Sequence, residues 1–180
     1  SKRGRVGILQ RKVGRAKRYD CAQSQKDKTL RRYIAWRYVI MKLLNLVNST
    51  NQSVLTGGTV NLGSVIHRVC NGTFNFTNSN TIALNNQGWY KVHVTINATG
   101  TAVGVNTFQL YQNGAAVSGA LASHTIAAID DVRNFSFETI IRVLPSCSCQ
   151  CNTPVNLTIL NNGVNTITVN NITVDVVKVN

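Results

Sequence analysis

The chain has 180 residues, 43% of them hydrophobic, and a net charge of +13. That length holds one packed domain plus an extension. The charge is uneven: residues 1–45 carry 14 of the 19 Lys and Arg against Asp20 and Asp27, a balance of 14 − 2 = +12, and residues 46–180 carry 5 basic and 4 acidic residues, a balance of +1. A cationic leader joined to a near-neutral body argues against a typical paired-carboxylate or metal hydrolase, because Asp130, Asp131, Glu138 and Asp175 are the only acids of the body.

Nothing after the charged start resembles the apolar stretch and small-residue site of a secretory signal. The most apolar segment, Tyr33 to Val47, is short for a membrane span and contains Arg37 and Lys42. Five cysteines, an odd number, do not make a closed disulfide framework. These features point to a protein made in a reducing cytoplasm, with no membrane partner.

In chain order, residues 1–23 read as a basic arm. Lys2, Arg3, Arg5, Arg11, Lys12, Arg15, Lys17 and Arg18 are unopposed by any acid up to residue 18, and Gly4, Gly7 and Gly14 work against a helix. Such an arm suits a polyanion or an acidic protein surface, and contact with nucleic acid through residues 1–18 would be strongly salt-dependent. Ser24 with Asp27 three residues on has the form of a helix start. Tyr33, Trp36, Ile40, Leu43 and Val47 then fall at alternating spacings of three and four, which predicts an amphipathic helix over 24–47 that anchors the chain to a partner. Residues 48–58, polar and without charge, read as a linker.

The remainder, residues 59–180, alternates with a period of two. Tyr90, Val92, Val94, Ile96 and Ala98 share one face of a strand that Gly88 introduces. Asn113-Gly114 between Phe108–Gln112 and Ala115–Ser118 predicts a two-residue hairpin. Phe135, Phe137, Thr139, Ile141 and Val143 share another face, Val155, Leu157 and Ile159 a third, and residues 166–169 and 171–179 close the chain with a bulge expected at Val176–Val177. Eight to ten short strands with regular turns predict an all-β antiparallel jelly-roll sandwich.

Cys147, Cys149 and Cys151 could bring three sulfurs to one side of an extended loop, a weak soft-metal candidate because zinc sites usually separate paired cysteines by two residues. Cys70 reads as a small core residue, and Cys21 as an incidental thiol in basic surroundings. His67, His93 and His124 have no acid or Ser partner at a telling spacing, and Asp130-Asp131 reads as a solvated turn. No catalytic residues, cofactor or enzymatic activity are expected.

Thr81-Ile-Ala-Leu, Gly88-Trp-Tyr-Lys-Val, Gln109-Leu-Tyr-Gln-Asn-Gly-Ala-Ala-Val-Ser-Gly and the final Ile172-Thr-Val-Asp-Val-Val-Lys-Val resemble the globular heads of the tumour-necrosis-factor/complement-head superfamily, with the bacterial and phage members nearest in look. The resemblance covers about residues 60–180. It implies a ten-stranded jelly roll that trimerises, with Trp89, Tyr90, Val92 and Val94 in core and trimer contacts, and no catalysis. No collagen-like repeat precedes the head, unlike the spore-surface members. The resulting expectation is a bacteriophage virion protein, a trimeric decoration or head-fibre element assembled in the host cytoplasm. Its arm and helix would bind other virion proteins of the capsid or portal region, and its head a host-surface glycan or receptor. The alternatives are a capsid-forming or internal virion protein whose arm contacts packaged genome, and a bacterial spore or cell-surface protein.

Overall fold

A computed structural model of the chain describes residues 41–69, 72–145 and 154–179. The basic arm, residues 24–40 of the expected helix with Tyr33, Trp36 and Ile40, and Cys21, Cys70, Cys147, Cys149 and Cys151 all lie outside the described residues.

The described residues form eleven strands: β1 (Lys42–Asn48), β2 (Gln52–Val54), β3 (Ser64–Arg68), β4 (Phe74–Thr77), β5 (Thr81–Leu84), β6 (Gly88–Gly100), β7 (Gly104–Gln112), β8 (Ala115–Ile126), β9 (Val132–Val143), β10 (Val155–Asn161) and β11 (Ile167–Lys178). They make two antiparallel sheets. One runs β3-β1-β11-β6-β9, with β2 also paired to β11; the other runs β4-β5-β10-β7-β8. The expectation of an all-β jelly-roll sandwich holds.

Strand formation follows the alternation. In β6, Tyr90, Val92, Val94, Ile96 and Ala98 are fully buried while Trp89 and Lys91 are exposed. β11 supplies Ile167, Val169, Ile172, Val174 and Val176 to the same core, and the facing sheet supplies Phe74, Ile82, Leu84, Phe108, Leu110, Leu157 and Ile159. Edge-to-face aromatic pairs bridge the two layers: Phe108 meets Phe135 at 4.9 Å between ring centroids and Phe74 meets Tyr90 at 5.8 Å. Asn113 and Gly114 both have positive φ, 50° and 81°, the conformation that matches a two-residue turn to the twist of its strands.

Three expectations change. Leu43 and Val47 lie on a strand, not on the last turns of a helix: β1 pairs with β11 from Lys42↔Lys178 to Asn48↔Ile172 and with β3 on its other side. Burial there has period two, with Leu44, Leu46 and Asn48 in the core and Leu43, Asn45 and Val47 on the outer face. The unpaired edges of β3 and β11 offer backbone partners that the local helical spacing cannot outweigh. The stretch read as a linker contains β2, which pairs Val54 with Ile167. The sandwich therefore takes in residues 41–58, and a head cut at residue 59 would lose a strand from inside a sheet. Finally, the bulge of β11 falls between Val169 and Asn171. Asn170 and Asn171 are both half-buried in succession, whereas Val176 and Val177 keep strict alternation, one inward and one outward.

Candidate functional site

The outer face of the sheet β1-β11-β6-β9 carries exposed Trp89, Ile140 and Val179 beside a set of charged side chains. Because directly paired residues point the same way, the ladder registers define rows across it. One row is Leu43, Val177, Lys91 and Ile140. Beside it stand Trp89 and Val179, 45% and 56% exposed, and Ile140 is 62% exposed. Arg142, opposite Trp89 in the ladder, places its guanidinium 5.0 Å from the indole centroid.

The next row carries the charge. His67, Asn45, Asp175, His93 and Glu138 lie side by side across five strands. Asn45 Nδ2 donates to Asp175 Oδ1 at 2.6 Å, Lys91 Nζ sits 2.8 Å from Glu138 Oε2, and His93 Nδ1 lies 3.7 Å from the same oxygen. Lys91 and Glu138 are about half exposed, so their pair orders the surface more than it stabilises the fold. Two further rows are uncharged. Val47, Thr173, Thr95 and Ser136 form one, and Asn171, Asn97 and Asn134 the other. In that amide row Asn97 Nδ2 donates to Asn171 Oδ1 at 3.0 Å and Asn134 Nδ2 to Asn97 Oδ1 at 2.7 Å. The face thus grades from apolar through charged to hydroxyl and amide, with its side chains tied to one another.

The structure divides the residues singled out for core and trimer contacts. Tyr90, Val92 and Val94 point wholly into the sandwich, and Trp89 stands on the outer face. Tyr90 donates its hydroxyl to Asn86 O at 2.6 Å, and burial raises its pKa above the usual phenol value despite that bond. Leu43 and Val47 share the outer face with Trp89. Asp130 and Asp131 form a turn: Asp130 has φ 66°, and Asp131 Oδ2 accepts from Ala127 N and from Arg133. These bonds, that from Ala127 first, hold the Asp131 pKa below the usual carboxylate value. Among the described residues no group of three or more His, Cys, Asp or Glu is placed to hold a metal. His93 has a carboxylate neighbour after all, Glu138, and one opposite it, Asp175; the sequence separates these residues, and only the strand order joins them.

No family profile matches the chain, and no curated protein matches it in sequence. Solved structures do match in fold. The Eiger TNF of S. frugiperda superposes with a TM-score of 0.58 at 12% identity, covering 78% of this chain and 92% of that one. Murine APRIL gives 0.52 at 9% identity over 77% and 99%. The globular domain of the zebrafish complement 1qA protein gives 0.51 at 8% identity over 77% and 98%. The fold is the TNF-like jelly roll. At these identities the likeness concerns the fold alone.

Proposed function

We propose that this chain is a non-catalytic structural protein of a bacteriophage virion, a homotrimeric TNF-like head held on the particle by its basic N-terminal segment. The graded outer face of β1-β11-β6-β9 is the observation that carries the trimer. Three exposed apolar residues, Trp89, Ile140 and Val179, lie there with half-buried Leu43 and Val177. In the charged row beside them Glu138 is paired with Lys91 and Asp175 accepts from the Asn45 amide, so neither carboxylate would enter an interface without a polar partner. The virion assignment draws on the division of charge, +12 in residues 1–45 against +1 in residues 46–180, and on the likeness of the Gly88 and Asn113-Gly114 stretches to phage and bacterial heads. In this reading the head displays a surface to a host glycan or receptor, and the protein is assembled in the host cytoplasm.

Light scattering on the full chain gives three times the protomer mass under this proposal, and the double variant Trp89→Asp/Ile140→Asp gives a folded monomer. A monomeric wild type at micromolar concentration rules the trimer out. The eight basic residues before residue 19 favour a second reading, contact with packaged genome. A peptide of residues 1–40 that binds DNA or RNA with a steep salt dependence, and not assembled capsids, selects that reading.

A further inference from the structure

A groove of about 660 Å³ opens at the end of the sandwich where β1 runs out. Its wall comes from the end of β1, the turn Ser49–Asn51, Gln52 of β2, the crossing segment Asn61–Ser64, Ile66 of β3 and the turn residue Ser79. Among the described residues no Lys, Arg, Asp, Glu or His lines it, although the chain as a whole is strongly cationic. We infer that this groove is a binding site for a neutral glycan, with the saccharide hydroxyls held by amide and hydroxyl side chains.

The wall is built before any ligand arrives. Asn48 Nδ2 and Gln52 Nε2 both donate to Asn61 O, at 3.0 and 2.7 Å, and Asn61 N donates to Gln52 Oε1 at 2.8 Å. Gly63 N donates to Asn61 Oδ1 at 2.8 Å and Thr50 N to Asn48 Oδ1 at 2.9 Å. Leu62 N donates to Ser79 O at 2.6 Å, fixing the Ser79 turn against the crossing segment. Gly63, at φ +78°, packs so closely on Val47 O and on Asn48 that a Cβ there would collide with backbone. Six hydrogen bonds thereby hold this wall in place, and little further ordering is needed on binding.

What remains unpaired among the described residues defines the ligand. The hydroxyls of Ser49, Thr50, Ser64 and Ser79, both ends of the Asn51 amide and the Nδ2 of Asn61 make no hydrogen bond to described residues. Each hydroxyl donates one bond and accepts others, and each amide offers both polarities, which is the complement of a polyol. Among the described residues an anionic ligand would find no cation here, and a metal ion no carboxylate. A purely apolar ligand would strip water from these groups without replacing its bonds. Ile66, 52% exposed, and half-buried Val47 supply a limited apolar surface for the C–H face of a sugar ring. The volume lies within the range of small-ligand sites, and the open side lets a chain of sugars continue into solvent. With no aromatic platform among the described residues, one site should bind in the millimolar range, about −4 kcal/mol, and repetition on a trimer and on a particle would supply avidity.

This assignment deepens the display reading and rests on it for its biological setting, not for its chemistry. Its test uses the full chain and saturation-transfer NMR with lactose, maltotriose, chitotriose and mannotriose as neutral probes, and 3′-sialyllactose and glucose 6-phosphate as charged ones. At least one neutral probe is expected to bind saturably. Asn51→Ala/Ser64→Val should weaken it at least about five-fold, a loss of roughly 1 kcal/mol, and Thr50→Trp should abolish it by filling the groove. Melting temperature and assembly mass should remain those of the wild type. Absence of saturable binding by every neutral probe, binding that the variants leave intact, or a requirement for the charged group overturns the proposal. A monomeric protein that still binds the neutral sugar would sink the trimer and leave the groove standing; a trimer that binds none does the reverse.

Discussion

Lys42 and Lys178 stand directly opposite each other in the β1–β11 ladder, and the Lys178 ammonium lies 5.7 Å from the Tyr90 ring. Partial burial, and then the charge of Lys42, lower the Lys178 pKa from its usual value. The folded state therefore holds this proton less tightly than the unfolded chain does. The charged form costs stability at neutral pH, and stability recovers as pH rises through the lowered value toward the usual 10.5. Replacing Lys42→Thr removes the facing charge and adds a better strand former. It should raise stability by about 0.5 kcal/mol at low salt and by less at high salt, as measured by thermal unfolding in both conditions.

Tyr90 acts in the opposite sense at higher pH. Its folded pKa is raised, so its contribution is complete below the usual phenol value of 10.0 and is lost as pH rises through the raised value. Tyr90→Phe leaves Asn86 O without its 2.6 Å donor and should cost about 1–2 kcal/mol at pH 7. The variant should also lose the alkaline decline expected of the wild type in urea unfolding above pH 10. An unchanged alkaline limb would contradict the burial of this hydroxyl.

Asp131 governs the acid side of the β8–β9 connection. Its pKa is lowered, so its contribution is present above the usual carboxylate value of 3.8 and disappears as pH falls through the lowered one. Asp131→Asn should flatten that part of the acid limb in pH-dependent unfolding while leaving the midpoint at pH 7 only slightly reduced.

The assignment of residues 42–48 to a strand makes a contrast that a helix does not. Leu46 is fully buried and Leu43 is on the outer face. Leu46→Ala should cost about 2–5 kcal/mol in denaturant unfolding. Leu43→Thr should cost less than about 1 kcal/mol, since it places a β-branched strand former on a half-exposed face. A helix with the Tyr33-to-Val47 stripe inward predicts a large effect at Leu43.

Gly63 has a separate role at the groove. Its positive φ and the approach of Val47 O and Asn48 leave no room for a methyl group. Gly63→Ala should cost about 2–4 kcal/mol, combining left-handed strain with overpacking. A neutral result in thermal unfolding would mean that the crossing segment is looser than described, and with it the groove wall.

Much of the sandwich was legible from residues alone. The period of two in Tyr90–Ala98 and Phe135–Val143 required strands buried on one side, because successive side chains of an extended backbone point opposite ways. Asn113-Gly114 required its turn, because both positions adopt positive φ that few other residues tolerate. Charge counting set a basic first stretch apart from a near-neutral remainder, but its division at residue 45 falls inside β1. Residues 42–48 were not decidable in this way. Leu43-Leu44-Asn45-Leu46-Val47 satisfies helical and extended spacing at once, and only pairing with β3 and β11 selected the strand. The same limit applies to function. His67, Asn45, Asp175, His93 and Glu138 are scattered along the sequence, and Asn48, Asn61 and Ser79 likewise. Strand order and the crossing of Asn61–Ser64 bring each set together, since which strands become neighbours depends on global packing and not on any local preference.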